Sequence, residues 1–135
     1  MKLLYWVDVT FYLCFSAYVI YESPVSAGFL IGISIAVPGF ILWMVARYQL
    51  GHSFTVRARA TTLVTTGLYS KIRHPIYFFA AFAFGGMFIA WGKLFPLIGY
   101  LVVYSSQILR VLKEEKVLED AFGDEWRHYK ARTWF

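Results

Sequence analysis

Charge is scarce in this chain, and the residues of covalent and metal chemistry are scarcer still. Only 16% of its 135 residues are charged, against 59% hydrophobic and 21% aromatic. A soluble domain of this length cannot bury so much apolar surface, so the composition points to a membrane protein with a single compact bundle. The one cysteine, Cys14, lies in an apolar stretch, which excludes an internal disulfide or a cysteine metal cluster. No metal site is expected. There is no internal repeat, no low-complexity segment and no convincing dinucleotide-binding pattern. The net charge of +5 would hint at nucleic acid in a soluble protein. In a membrane protein it reports topology and attraction to anionic lipid instead, so no nucleic-acid partner is expected.

What is present is four apolar runs, over residues 3–21, 25–46, 76–91 and 94–112. At ~1.5 Å per residue the second reaches about 33 Å and the third only about 24 Å, against a hydrocarbon core of roughly 30 Å. The connections Glu22-Ser23-Pro24 and Gly92-Lys93 are so short that each flanking pair must form an antiparallel hairpin. Of the 13 Lys and Arg residues, Lys93 alone falls on the far side of such a four-span arrangement. This bias predicts that both termini and the central connector face the cytoplasm. The expected fold is an all-α membrane protein of about four transmembrane helices in two hairpins, with a cytoplasmic C-terminal amphipathic helix. Its parts are an N-terminal hairpin (1–46), a connector (47–75), a second hairpin (76–112) and a C-terminal helix (113–135). Trp43, Trp91, Trp126 and Trp134 lie near segment ends and suit an interfacial belt.

Polar chemistry gathers in two places. The first is Gly67-Leu68-Tyr69-Ser70-Lys71-Ile72-Arg73-His74-Pro75-Ile76-Tyr77, at the mouth of the third run. Polar groups at the mouth of a membrane helix ask for a functional explanation. Pro75 suits the first turn, which has no use for its missing N–H, and that turn leaves backbone donors and partial positive charge near His74. Tyr69, His74 and Tyr77 can stack on or hydrogen-bond a planar ligand. The second cluster begins with Arg110 and Glu114, four residues apart on one helical face. Taken singly, these are an ordinary ion pair, an interfacial histidine and topology-setting cations. A cation beside a carboxylate at the exit of a bundle can also hold a zwitterionic or doubly functional ligand.

The order of these residues resembles the isoprenylcysteine carboxyl methyltransferase family and the related phospholipid methyltransferases, which are integral-membrane and S-adenosylmethionine-dependent. The residues that carry the likeness are Leu50-Gly51-x-Ser53-Phe54, then Leu63 to Tyr69, then Arg73-His74-Pro75-Ile76-Tyr77. After one hairpin come Arg110, Glu114-Glu115, Leu118, Phe122-Gly123-Asp124-Glu125-Trp126 and Tyr129. The resemblance implies that Thr62, Leu63, Val64, Tyr69, His74, Pro75, Ile76 and Tyr77 line an S-adenosylmethionine pocket and that Glu114 also holds the cofactor. It places Arg110 to meet an acidic substrate group. Two departures stand out: Phe79 where many members have glycine, and Thr61-Thr62 where His-Thr is common.

The implied function is methyl transfer to a lipophilic acceptor, first of all a carboxylate such as that of an isoprenylcysteine-like substrate. An anionic acceptor needs alignment more than acid–base help. An amine acceptor would need a base, for which His74 or Glu115 are the candidates. Phospholipid, amine and thiol acceptors stay open, as does a homodimer. Two rival classes are a membrane NADPH-dependent sterol-type reductase and a small four-helix transporter. The transporter would depend on Asp8, the one acidic residue within a span.

Overall fold

The computed structural model describes residues 2–51 and 63–135, with side chains from residue 6 onward. The described residues form five α-helices: α1 (Lys2–Glu22), α2 (Ala27–Leu50), α3 (Pro75–Trp91), α4 (Leu94–Phe122) and α5 (Asp124–Arg132). A 3-10 turn, Gly67–Ser70, precedes α3. Among the described residues the β-type pairing is one isolated bridge between Ile72 and Trp134.

Local chemistry sets several helix ends. Ser26 caps α2 by accepting the Phe29 N–H at 3.2 Å. Pro75 occupies the first turn of α3, as its missing donor allows. Gly92, at φ +69°, closes α3 in the left-handed region that glycine enters without strain.

Side-chain contacts give the helix directions. Asp8 meets Arg47 and the Tyr12 ring packs on Phe40 and Trp43, so α1 and α2 are antiparallel. The ring pairs Phe11–Phe84, Phe15–Phe88 and Tyr18–Trp91 set α1 parallel to α3. Tyr100 reaches Ala81 and Glu114 reaches Tyr77, so α4 runs back along α3. The starts of α1 and α3 therefore share one end with the finish of α2 and the charged part of α4. At the other end Lys93 pairs with Glu22 at 3.6 Å, tying the two short turns together.

The core is the α2–α3 seam. Gly32, Ala36 and Gly39 face Ala90, Gly86 and Ala83. The backbones come so close that a Cβ on Gly32 would sit 2.3 Å from Ala90 N, and one on Gly86 would sit 2.5 Å from Ala36 N. Small residues at such a seam let two helices touch along their main chains, which is how helices associate where lipid supplies no hydrophobic drive. Phe79 belongs to this core, together with Trp43, Ala83 and Met87. It stands two residues, about 200°, round the helix from Tyr77.

Among the described residues two helices, α2 and α4, are long and apolar enough to cross a bilayer, and α3 is a shorter apolar helix. Large apolar side chains stand exposed on α1 (Phe11, Leu13, Ile20), α2 (Leu30, Ile31, Ile41) and α4 (Val102, Val103, Leu109). So much apolar exposure is a liability in water and natural against lipid. The chain is a membrane protein.

Three expectations change. The fourth helix does not stop near residue 112: α4 continues to Phe122, and the break falls at Gly123, φ +53°. Leu, Lys, Glu and Ala all sustain a helix, so a switch from apolar to charged residues does not end one. The helix expected over 113–135 is thus the end of α4 followed by the nine residues of α5. Finally, Trp43 and Trp126 are buried, at 2% and 1% exposure, and belong to the packing rather than to an interfacial belt.

Candidate active site

Each functional side chain can be traced to the element that aims it. His74 precedes Pro75 at the start of α3 and is 6% exposed. Its Nε2 lies 3.4 Å from Glu115 Oε1. A carboxylate only accepts, so Nε2 carries the hydrogen and Nδ1 is the acceptor of the neutral ring. Burial pushes the His74 pKa below its usual value, and the Glu115 and Glu114 carboxylates oppose that shift. The imidazole is therefore favoured over the imidazolium.

One turn along α3, the Tyr77 hydroxyl donates to Glu114 Oε1 at 2.5 Å. Arg110 Nε lies 3.4 Å from the same oxygen, and its guanidinium sits 5.8 Å above the Tyr77 ring. The Tyr104 hydroxyl donates to the Tyr77 carbonyl, steadying this turn from α4. Both contacts to Glu114 use one oxygen. Among the described residues nothing donates to its Oε2, and the side chain is 33% exposed. A carboxylate so placed has acceptor capacity for hydroxyls or an ammonium.

Other expected site residues take different positions. Leu63 and Val64 are half-buried in the connector, and Thr62, with Thr61, Ser53 and Phe54, lies outside the described residues. Tyr69 is buried and acts as a tie: its hydroxyl donates to Ala46 O at 3.4 Å, and its carbonyl accepts from Tyr129 at 2.6 Å. Pro75 is fully buried, and Ile76 packs on the core. The structure thus brings His74, Tyr77, Arg110 and Glu114 together with Glu115, while Tyr69 faces α2 and α5. Phe79, on the core side of α3, is no wall of the Tyr77–Glu114 face.

Sequence reasoning missed two participants. Tyr104 gave a signal, since Tyr100 and Tyr104 stand four apart in an apolar run. The second is residues 133–135, which lie against residues 71–74: the Trp134 N–H donates to Lys71 O at 2.9 Å and the Arg73 N–H to Phe135 O at 2.6 Å. No local pattern announces that contact.

These features define a helical membrane protein with a polar, partly exposed site at one end of its bundle. A profile of the phospholipid methyltransferase family matches residues 27–125, most of the chain, and the chain belongs to that family. It is 31% identical over 94 residues to a protein-S-isoprenylcysteine O-methyltransferase of Schizosaccharomyces pombe, a match covering 65% of this chain and 40% of that protein. With the protein of the same name from Saccharomyces cerevisiae it shares 31% over 109 residues, 76% of this chain and 46% of the relative. With methanethiol S-methyltransferase 1 of Bradyrhizobium diazoefficiens it shares 34% over 96 residues, 70% and 31% of the two chains. The matched region is less than half the length of each of these relatives. No solved structure gives a significant match.

Proposed function

We propose that this chain transfers a methyl group from S-adenosylmethionine to a lipophilic acceptor, first of all a carboxylate of the isoprenylcysteine kind. One observation carries the reading: Glu114 stands between the Tyr77 phenol and the Arg110 guanidinium, and among the described residues its second oxygen is unclaimed. The two yeast relatives, named for isoprenylcysteine O-methylation, support a carboxylate acceptor.

S-adenosylmethionine supplies an electrophilic methyl on sulfur. This chain supplies binding and alignment. Glu114 and Tyr77 would hold the donor's hydroxyls or ammonium, and by the family likeness Leu63, Val64 and the start of α3 would complete its pocket. Arg110 keeps donors to spare beyond the one it shares with Glu114, and a planar guanidinium fits a carboxylate in bidentate fashion. A carboxylate is already anionic and needs no base, so orientation at high effective molarity provides most of the rate. The apolar part of the acceptor lies along α4, where Ile108, Leu109 and Leu112 are exposed. In the membrane, α1 to α4 cross the bilayer with both termini and the connector cytoplasmic, and α5 closes over the cytoplasmic end.

Equilibrium binding of S-adenosylhomocysteine to the chain in lipid nanodiscs tests this. Saturable binding by wild type, weakened at least tenfold in Glu114→Ala and Tyr77→Phe, is expected. Arg110→Ala should keep donor affinity within about threefold and raise the acceptor KM. Absence of binding by folded wild type would sink the proposal.

A thiol acceptor is the second reading, favoured by the methanethiol methyltransferase relative. Labelled methyl transfer to N-acetyl-S-farnesylcysteine against a small alkanethiol separates the two. Against the transporter reading stands the match to a methyltransferase family; Asp8 pairs with Arg47 at 2.5 Å but stays half-exposed.

A further inference from the structure

Glu114 and Glu115 are neighbours in sequence with different surroundings. Successive helical residues point about 100° apart, so only one of the pair can face Tyr77 and Arg110. Glu115 turns toward the start of α3 and toward α5, and there both of its oxygens are held. Oε1 takes Arg73 Nε at 3.0 Å and His74 Nε2 at 3.4 Å, and Oε2 takes Lys130 Nζ at 2.6 Å. Its side chain is 12% exposed. A carboxylate so engaged has little capacity left for a ligand.

Arg73 extends the same cluster. Its guanidinium also donates to Thr133 O at 2.9 Å and Lys130 O at 3.3 Å, where the carbonyls at the end of α5 lack helical partners. The backbone N–H groups of Arg73 and His74 donate to Phe135 O, and that of Trp134 donates to Lys71 O. The polar contacts joining α5 and residues 133–135 to the connector thus run through residues 69–74, immediately before Pro75.

We propose that Glu115, Arg73 and Lys130 form a positioning lock that clamps α5 and residues 133–135 onto the start of α3, fixing His74 and Tyr77 for donor binding. The lock rests on the methyltransferase reading for its purpose, not for its existence. None of the three touches the reacting atoms. Glu114 meets the donor, and Glu115 holds the wall behind it.

The test compares wild type with Glu115→Gln, Lys130→Ala and Lys130→Arg in nanodiscs, by two measurements. Hydrogen exchange reads the Arg73, His74 and Trp134 amides, and calorimetry reads the Kd of S-adenosylhomocysteine. Glu115→Gln and Lys130→Ala should speed exchange of these amides at least tenfold, leave residues 83–90 unchanged and weaken binding three- to tenfold. Lys130→Arg should restore both. Unchanged exchange in both variants overturns the lock. Faster exchange with Kd within twofold overturns the positioning role and leaves a merely structural clamp. A wild type that binds nothing overturns the donor-site reading, while the exchange measurement still decides whether the clamp exists.

Discussion

The α2–α3 seam and α4 are held by opposite means. In the seam, glycine and alanine bring two backbones into contact, and a Cβ on Gly39 would sit 2.6 Å from Ala83 N. On α4, Val111 is the one buried residue, and the helix is tied to α3 by Tyr100, Tyr104 and Glu114. Where lipid removes the hydrophobic drive, close main-chain packing and hydrogen bonds are two of the ways to join helices, and ring packing such as Phe88–Tyr100 adds to the second. The seam uses the first and fixes the start of α3, with His74 and Tyr77 on it. α4 uses the second and carries Arg110 and Glu114, the groups proposed to meet donor and acceptor. A stiff platform faces a lightly tethered helix, an arrangement that suits the proposed approach of a large lipophilic acceptor.

The largest effect should follow from wedging the seam apart. In Gly86→Leu the new Cβ meets Ala36 N at 2.5 Å and Gly32 O at 2.6 Å, and backbone atoms cannot swing aside. The expected cost exceeds the ~1–3 kcal/mol of ordinary overpacking, seen as loss of the folded, monodisperse species in size-exclusion chromatography. Val102→Ala on the exposed face of α4 should stay within about 0.5 kcal/mol. Comparable losses in the two variants would break the contrast.

Next comes the Asp8–Arg47 pair. Arg47 is 6% exposed and lies 5.3 Å from the Trp43 ring, whereas half of the Asp8 side chain is open to its surroundings. Removing a partner from a fully buried pair costs ~3–5 kcal/mol. Solvent at Asp8 lowers that, so Asp8→Asn should cost about 1–2 kcal/mol in thermal unfolding and leave S-adenosylhomocysteine affinity unchanged. A loss of donor affinity without a loss of stability would move Asp8 into the site.

Part of this was legible beforehand. His74 to Tyr77 stood out because polar groups seldom open an apolar helix, and Arg110 and Glu114 because i,i+4 spacing fixes a shared face. The seam was harder to read: the pattern Gly32, Ala36, Gly39 finds its partner only once the register against Ala83, Gly86 and Ala90 is known. Trp43 sits near the end of an apolar run, but position along a run does not say which way a side chain faces. The α4 boundary failed because loss of hydrophobicity marks the edge of a membrane, not the end of a helix. Lys130 reaches Glu115 only after Gly123 turns the chain, a contact that no periodicity encodes.

A pH dependence should come from His74. Burial lowers its folded-state pKa below the ordinary value near 6.5 despite the Glu115 and Glu114 carboxylates, with the Arg73 guanidinium adding to the lowering. The unfolded chain then binds the proton first, so His74 contributes stability above pH ~6.5 that is lost as the pH falls through the folded value. Thermal melts between pH 7.5 and 5 should show less acid sensitivity in His74→Gln than in wild type. An equal slope in both would mean that the ring titrates normally.

The smallest effects belong to the tethers of α4, and they sharpen the contrast most. Tyr100 donates to Ala81 O at 3.0 Å, and Tyr104 donates to the Tyr77 carbonyl one turn earlier. Hydrogen bonds between membrane helices average about 0.6 kcal/mol, so Tyr100→Phe and Tyr104→Phe should each cost less than about 1 kcal/mol. Their equal cost in stability should hide an unequal cost in binding. Tyr104 steadies the residue whose hydroxyl holds Glu114, whereas Tyr100 lies one turn farther from the site. Tyr104→Phe should therefore weaken S-adenosylhomocysteine binding about two- to threefold, with Tyr100→Phe indistinguishable from wild type. If both variants bind like wild type, the tethers only join the helices. If both weaken binding alike, α4 acts as one rigid unit, and its light tethering gives the site no freedom of its own.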